Sequence, residues 1–394
     1  MITAIMFIGI LVLVTLISAT ITPLRSITTF LCLTFLGSLA AFFEGSYSLN
    51  AGYITIILSF TLTLFASAIF ASGTRIKILI PVLSGQKYII RLLNKIFAIT
   101  SLLAVIIIVY SMNLLSSDFL YNIFKFRMAQ INNVTSEYPG LLSNTVVYSY
   151  VKNSILFCAI AFINSVAVLE EKRAAIFFLV LLVIMNFILG SRWTSMYFVL
   201  SYIMITGRDM PYISLRNAVI LITISFMFFV GGYIRSLAGG LEISFWELPY
   251  KYTFANFAAF DILVEKNLYI PETFRYISYL LFGTTNSIVA DNVTLEQSGV
   301  RTNTFTIFGQ FSEYLTNFGG IVYAACLGFL LIYCNKTYAV NVISRIIYVL
   351  IAPAVLLFIF TEPVFPQLAL MLRFVIISLP VFFIGYFLTV SKQT

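Results

Sequence analysis

The stretch AAIFFLVLLVIMNFIL, residues 174–189, carries no charged side chain, and a second apolar run, 193–206, follows it after a short turn. Such runs recur along all 394 residues, of which 61% are hydrophobic and only 10% charged. A helix of about 20 apolar residues crosses the hydrocarbon core of a bilayer, and it satisfies its own backbone hydrogen bonds there. The sequence therefore predicts an all-α polytopic membrane protein and excludes a string of soluble domains.

We predict about eleven transmembrane helices, which form a single membrane domain over residues 1–394. Their expected positions are 3–19, 27–43, 53–71, 96–115, 145–169, 174–189, 193–206, 217–232, 317–334, 346–360 and 374–390. The run 5–17 lacks a basic segment before it and a small-residue cleavage site after it, so we interpret it as a retained span. Pro353 and Pro380 fall inside the last two spans, where helix packing tolerates a kink.

The distribution of charge predicts the orientation of these spans. One alternate set of connecting loops holds 13 of the 23 basic residues but only 3 of the 15 acidic residues. Cytoplasmic loops are enriched in Lys and Arg, so this set is assigned to the cytoplasm, with the N-terminus outside and the C-terminus inside. The net charge of +8 then reflects topology, and it predicts no nucleic-acid partner.

Two segments outside the spans are distinctive. Residues 75–95 are basic and amphipathic and are interrupted by Pro81 and Gly85, which predicts a helix on the anionic cytoplasmic surface. Residues 233–316 form a predicted outer loop with 13 of the 38 charged residues. A loop of this length is too long for a connector and is expected to be functional.

The middle of the outer loop is rich in aromatic residues. Pro249 is suited to start a helix, and the spacing places Tyr250, Phe254 and Phe257 on one helix face. We predict that this part of the loop is partly helical and lies on the membrane like a lid. Tyrosines here are candidates for stacking on sugar rings, but an aromatic belt at the membrane interface is the favoured interpretation.

Several kinds of chemistry are excluded by missing residues. The chain has no histidine, and its four cysteines lie in apolar runs without CxxC spacing. It also has no Asp-x-Asp motif and no glycine-rich loop of the phosphate-binding type. We therefore expect no Ser-His triad, no metal site, no cofactor and no nucleotide substrate.

Arginines on the predicted outer side are the strongest functional signal. Arg192 interrupts the hairpin between two spans, Arg235 lies just after a span, and Arg373 opens the last span. Positive residues are disfavoured on this side, so each arginine requires a reason. One is interfacial anchoring or pairing with an acidic neighbour. The other is a bound anion, because guanidinium groups fork onto phosphate oxygens such as those of a lipid pyrophosphate.

Carboxylates are the candidates for a general base. Four of them lie on the predicted outer side and can each accept a proton from a sugar hydroxyl, namely Glu313, Asp291, Glu242 and Glu362. An ordinary Glu is a weak base at neutral pH unless burial raises its pKa. A solvated or ion-paired side chain is the alternative interpretation for each of them.

Two short motifs resemble those of a known family. The run Thr302-Asn303-Thr304-Phe305-Thr306 is followed, after a short interval, by Asn317-Phe318-Gly319-Gly320 at the start of a span. This is similar to the oligosaccharide repeat-unit polymerases of the O-antigen polymerase (Wzy) family, in which an aspartate usually occupies the place of Asn317. The turn 190–192, Gly-Ser-Arg, also resembles a turn of that family.

The resemblance implies a fold similar to the GT-C glycosyltransferases and an active site on the periplasmic face of the bacterial inner membrane. Such enzymes transfer a growing glycan from undecaprenyl pyrophosphate to a lipid-linked repeat unit, and a chain-length regulator is a further expected partner. By analogy with the related ligases, outer-loop arginines hold the pyrophosphate. Asn303 and Tyr314 are carried over from the motif as residues that position sugar.

These observations lead to one hypothesis, a metal-independent, inverting polysaccharide polymerase. Arg192 and Arg235 are expected to clamp the donor pyrophosphate, Arg301 and Arg373 to assist them, and Glu313 to activate the acceptor hydroxyl. The alternatives are a lipid-linked oligosaccharide flippase or other secondary transporter, a non-catalytic subunit, and an enzyme resembling the O-antigen ligases. The ligase alternative is weakened because those enzymes use an outer-loop histidine.

Overall fold

The computed structural model describes most of the predicted spans and part of the long loop. The described residues are 2–21, 25–75, 80–113, 122–123, 125–126, 141–188, 192–206, 230, 233, 250, 254–265, 293–294, 301–302, 316–353, 357, 374–378 and 380–385. They form helices α1 Ile2–Thr20, α2 Arg25–Glu44, α3 Ala51–Gly73, α4 Ser84–Ser111, α5 Thr145–Ile163, α6 Lys172–Ile188, α7 Arg192–Thr206, α8 Ala255–Glu265, α9 Thr316–Thr337 and α10 Val342–Ile351. A π-helical turn, Asn164–Val168, extends α5, and the two-residue strands β1 Val293–Thr294 and β2 Arg301–Thr302 pair antiparallel.

Among the described residues, six helices are long and apolar enough to cross a membrane. They span residues 2–20, 27–44, 51–73, 84–111, 145–168 and 319–337. Helix α1 shows why lipid is the expected surroundings, since Phe7 and Leu11 are buried while Met6 and Leu13 are exposed. A helix that is apolar on its exposed face as well as its packed face is favourable only in a membrane. The protein is accordingly a membrane-embedded helical protein.

The chain divides into two compact units. The first unit comprises residues 1–79 and 244–369, and it contains α1–α3, α8, the strands, α9 and α10. The second unit comprises residues 80–243 and 370–394, and it contains α4–α7 and the helical stretches 374–378 and 380–385.

Within the first unit, α3 and α9 pack together along much of their length. Ring pairs Phe60–Tyr323 and Phe70–Phe329 mark successive levels, with centroids 6.2 and 6.3 Å apart. Residue numbers rise together along both helices, so the two helices run in the same direction. The predicted alternation of spans requires this, because it sends both helices from the outside to the inside.

Lys336 closes the α3–α9 pair at one end. Its Nζ donates to the carbonyl oxygens of Ala71, Ser72 and Thr74 over 2.5–3.4 Å. The last carbonyls of an α-helix have no partner within the helix, and a cation near them also interacts favourably with the helix dipole. Lys336 is therefore a C-terminal cap for α3 supplied by α9.

Replacing Lys336 by Met is expected to lower the free energy of unfolding by about 1 kcal/mol, the scale of a cation at a helix C-terminus. Thermal unfolding in detergent checks it. Lys172→Met is the matched control, because Lys172 is the first residue of α6, where a cation opposes the dipole. Equal melting temperatures for K336M and the unmodified protein would contradict the capping role.

In the second unit, α4 and α5 are joined by buried polar groups. Asn94 Nδ2 donates to Ser165 Oγ at 3.1 Å, and Asn164 Nδ2 donates to Asn94 Oδ1 at 3.2 Å. Ser101 Oγ reaches the carbonyl of Ser154 further along, so the two helices run antiparallel. Hydrogen bonds between helices hold membrane bundles in register, and here they converge on the π-helical turn.

Beside that turn lies an ion pair between Arg91 Nε and Glu171 Oε1, which are 2.7 Å apart. Glu170 adopts a left-handed backbone conformation, with φ 59°, and the Glu171 N–H returns to the carbonyl of Ser165. The π-helical turn and this bend together carry the chain from α5 into α6. The ends of α4 and α5 that are predicted to be cytoplasmic are thus joined by specific hydrogen bonds as well as by the ion pair.

Two helix boundaries differ from the predictions. Residues 84–95 do not form a surface helix of their own, because α4 continues unbroken from Ser84 to Ser111. Its side chains change from polar to apolar along one helix, and nothing after Gly85 interrupts the backbone hydrogen bonds. Helix α10 begins at Val342, four residues before the predicted start at 346, and ends at Ile351. Beyond Pro353, Leu357 is helical again and its N–H donates to the carbonyl of Pro353, which agrees with the predicted kink at this proline. The predicted span 217–232 lies outside the described residues apart from residue 230.

Candidate functional site

The turn between α2 and α3 is a strained polar segment at the end of two apolar helices. Ser46 and Tyr47 have φ 52° and 69°, a left-handed conformation that is uncommon for residues other than glycine. The N–H groups of Gly45 and Tyr47 satisfy the carbonyls of Ala41 and Phe42 at the end of α2. This arrangement resembles the usual left-handed closure of a helix.

The Tyr47 ring closes a small aromatic cluster at this turn. Its centroid lies 5.5 Å from that of Phe42 and 5.8 Å from that of Phe43, both in edge-on geometry. Tyr47 and Phe43 remain 56% and 51% exposed. Edge-on pairs of this kind contribute about 0.5–1.5 kcal/mol beyond burial, which helps to offset the backbone strain at Tyr47.

Helix α8, from the predicted outer loop, packs against this turn and against α2 and α3. Residues 255–260 are all at most 2% exposed, so the first half of α8 is buried on every side. Phe257 lies where a Cβ of Gly37 would be, and Phe260 packs on Tyr53 with ring centroids 5.5 Å apart. Gly37 lies seven residues before the end of α2, so Phe257 of α8 contacts α2 about 10 Å along the helix axis from that end.

The expected lid is therefore not what α8 forms. Its first half is buried, so it is not a surface helix. The physical reason is its composition, because its first six residues include only one polar side chain, the buried Asn256, and the next residue, Asp261, bonds to the Asn50 N–H. A helix stretch that is apolar on nearly all sides is favoured in a buried position.

Helix α8 begins at Ala255. Tyr250 before it is also helical, with its carbonyl accepting from the Phe254 N–H, in line with the helix start predicted at Pro249.

Two hydrogen bonds attach the outer loop to the ends of the turn. Tyr250 Oη donates to Glu44 Oε1 at 2.7 Å, and Asp261 Oδ1 accepts from the Asn50 N–H at 2.9 Å. Asn50 is also the N-cap of α3, since its Oδ1 accepts from the Gly52 N–H at 2.8 Å. Both the turn and the loop are predicted to lie on the outer side, and the structure brings them together.

The strand pair continues this site. Helix α8 contacts both β1 and β2, and the register pairs Thr294 with Arg301 and Val293 with Thr302. The backbone of Arg301, a predicted pyrophosphate ligand, thus belongs to a strand that packs against α8. The structure connects one predicted site residue to the membrane helices through α8.

The other predicted site residues are placed only in part. Arg192 is the first residue of α7 in the second unit. The remaining candidates lie outside the described residues, namely Arg235, Asn303, Glu313, Tyr314 and Arg373. The other carboxylates considered for the base, Glu242, Asp291 and Glu362, also lie outside the described residues.

Two carboxylates of the site were not among the predicted site residues. Glu44 is the last residue of α2, and Asp261 interrupts the otherwise apolar run of α8. An acidic residue within an apolar helix is the sequence signal that points to Asp261, because burying a carboxylate requires a specific donor. Nothing in the sequence indicated that Glu44 would meet a tyrosine about 200 positions later.

The assembled groups are carboxylates, tyrosine hydroxyls, an amide and exposed aromatic rings. Hydrogen bonds among them join the loop to α2 and α3, and the rings of Phe43 and Tyr47 remain about half exposed. Among the described residues, no cluster of acidic or cysteine side chains is suited to hold a metal ion. Comparisons with protein-family models, curated proteins and solved structures find no match to this chain.

Proposed function

We propose that this protein is a polymerase of the bacterial inner membrane that joins lipid-linked oligosaccharide repeat units on the periplasmic face. The proposal includes a fold similar to the GT-C glycosyltransferases and undecaprenyl pyrophosphate as the lipid carrier. It is supported by the resemblance of the motifs at 302–306, 317–320 and 190–192, and by the membrane-embedded helical architecture. The main structural support is the position of α8. This helix of the long loop packs against α2 and α3 and also contacts the strand that contains Arg301.

The reaction needs few protein groups. A hydroxyl oxygen of the acceptor sugar attacks the anomeric carbon of the donor glycan, and the bond from that carbon to the pyrophosphate oxygen breaks with inversion. The hydroxyl proton passes to a base, for which we propose Glu313, and undecaprenyl pyrophosphate leaves. Arg192 and Arg235 offset the negative charge that develops on the leaving group.

The other proposed residues serve binding. Arg301 and Arg373 assist in holding the pyrophosphate, because arginine matches phosphate geometry with two parallel hydrogen bonds. Asn303 and Tyr314 position sugar. The partners are the lipid-linked oligosaccharide, surrounding membrane lipid and a chain-length regulator. No metal or nucleotide takes part.

Purified protein in vesicles, supplied with a radiolabelled undecaprenyl-pyrophosphate oligosaccharide, tests the proposal. The expected result is a ladder of products that differ by one repeat unit and form equally well in the presence of EDTA. Transfer of the label across the bilayer without lengthening would instead support the transporter alternative. Transfer of the glycan to a lipid A acceptor would support a ligase. Failure to lengthen the substrate with protein that is folded and correctly inserted in the vesicles would overturn the polymerase proposal.

A further inference from the structure

The outer loop is attached to the membrane helices on both sides of the start of α8. Tyr250 precedes α8 and bonds to Glu44 at the end of α2, while Asp261 lies within α8 and bonds to Asn50 at the start of α3. The two bonds join positions that are 206 and 211 residues apart in the chain. The two bonds lie on either side of the α2–α3 turn, and so they attach α8 to both helices that it packs against.

The surface of α2 and α3 on which α8 packs contains two glycines that make room for it. A Cβ at Gly37 would overlap the Phe257 ring, and a Cβ at Gly52 would lie 2.8 Å from Val264 Cγ1. Separations this short force a neighbour to move, since interiors are closely packed. Helices α2 and α3 therefore leave room for α8 where other residues would fill the space.

Apolar packing and the two hydrogen bonds have different effects here. Burial of the phenylalanines favours insertion of α8 but is non-directional. The hydrogen bonds have narrow distance and angle requirements, so they select one rotation and one depth of α8. Because β1 and β2 pack on α8, the orientation of α8 determines where the backbone of Arg301 lies.

We propose that α8 is a positioning element whose bonds Tyr250–Glu44 and Asp261–Asn50 hold the strand of Arg301 in place for binding of the lipid-pyrophosphate donor. Tyr250 and Asp261 are positioning residues, since they act through Arg301. The role in donor binding rests on the proposed function. The fastening of α8, meaning that the two hydrogen bonds hold this helix in place, does not rest on it and is tested independently of any activity.

Hydrogen–deuterium exchange of the complete protein in nanodiscs tests the fastening. Tyr250→Phe removes one oxygen and keeps the ring, so it is expected to accelerate exchange of the α8 amides by about tenfold. Combination with Asp261→Leu is expected to accelerate it further, while α5 is unaffected. Tyr88→Phe is the matched control, because Tyr88 lies on α4 and is 66% exposed. Unchanged exchange in α8 for both variants would overturn the fastening.

Kinetics of chain lengthening test the positioning role. We expect Tyr250→Phe and Asp261→Leu to raise KM for the lipid-linked donor about five- to tenfold with little change in kcat. Asp261→Asn keeps the accepting oxygen and is expected to restore most of the affinity. In an Arg301→Ala background, Tyr250→Phe is expected to have almost no additional effect, because the group that it positions is gone.

The outcomes separate the two proposals. Additive effects of Tyr250→Phe and Arg301→Ala would overturn the positioning role, since independent sites add. Gly37→Ala provides a second way to displace α8 and is expected to reproduce the rise in KM. If the unmodified protein lengthens no substrate, the proposed function fails with the positioning role, and the exchange data alone still decide whether the two bonds hold α8.

Discussion

Replacing Arg192 by Ala is expected to lower the rate of chain lengthening by about 100- to 1000-fold, the usual cost of removing one donor that stabilises developing charge. Arg192 opens α7, directly after a turn that the charge pattern places on the outer side. Arg235→Ala is expected to have an effect of the same order. Lengthening of labelled donor by purified variants is the measurement.

Two further variants make this prediction specific. Arg192→Lys keeps the charge but loses the two parallel hydrogen bonds of a guanidinium, so we expect an intermediate rate. Arg173→Ala is the matched control, since Arg173 is an exposed residue of α6 on the predicted cytoplasmic side, and its rate should equal that of the unmodified protein. Normal long-chain products from Arg192→Ala at a normal protein level would contradict the clamp.

Replacing Gly328 by Ala is expected to lower the free energy of unfolding by about 1–3 kcal/mol, the usual cost of overpacking. A Cβ at this position would lie 2.5 Å from the carbonyl oxygen of Leu64 and would also meet Ser67 Oγ. The oxygen belongs to helix backbone and cannot rotate away, so α3 and α9 must separate. Thermal unfolding in detergent measures the loss.

Gly9→Ala is the matched control for Gly328→Ala. Gly9 is in the middle of α1, and a Cβ there would have no neighbour within 4 Å. Alanine favours helices over glycine by about 1 kcal/mol, so Gly9→Ala is expected to leave the melting temperature unchanged or to raise it. A Gly328→Ala protein as stable as Gly9→Ala would show that α3 and α9 are not in close contact.

Most of the described helices could be predicted from hydropathy alone. The predicted spans 3–19, 145–169 and 193–206 correspond closely to α1, to α5 with its π-helical turn, and to α7. Lipid makes this possible, since each crossing must be both helical and apolar. The start of α4 was misplaced because hydropathy locates the membrane boundary, whereas the helix continues past it.

The candidate site was harder to predict because its groups come from distant parts of the chain. The unusual arginines could be recognised from their positions relative to the spans. Helix α8 could not be assigned correctly, since its apolar residues suit either a surface helix or a buried one. The buried position of α8 depends on the space at Gly37 of α2, which Phe257 occupies. A single glycine within an apolar span does not indicate which helix packs on it.

The close contact of α3 with α9 has a consequence for biosynthesis. Roughly 240 residues separate the two helices, and the larger part of the second unit, residues 80–243 with α4–α7, is made in between. Helices α4–α7 follow one another in sequence and are free to pack as they leave the ribosome and enter the bilayer. Until α9 is made, the surface of α3 that Gly328 contacts and the α3 carbonyls that Lys336 caps lack the partner that they have in the finished structure. We therefore expect α3, one of the first helices to be made, to complete its packing only late in synthesis.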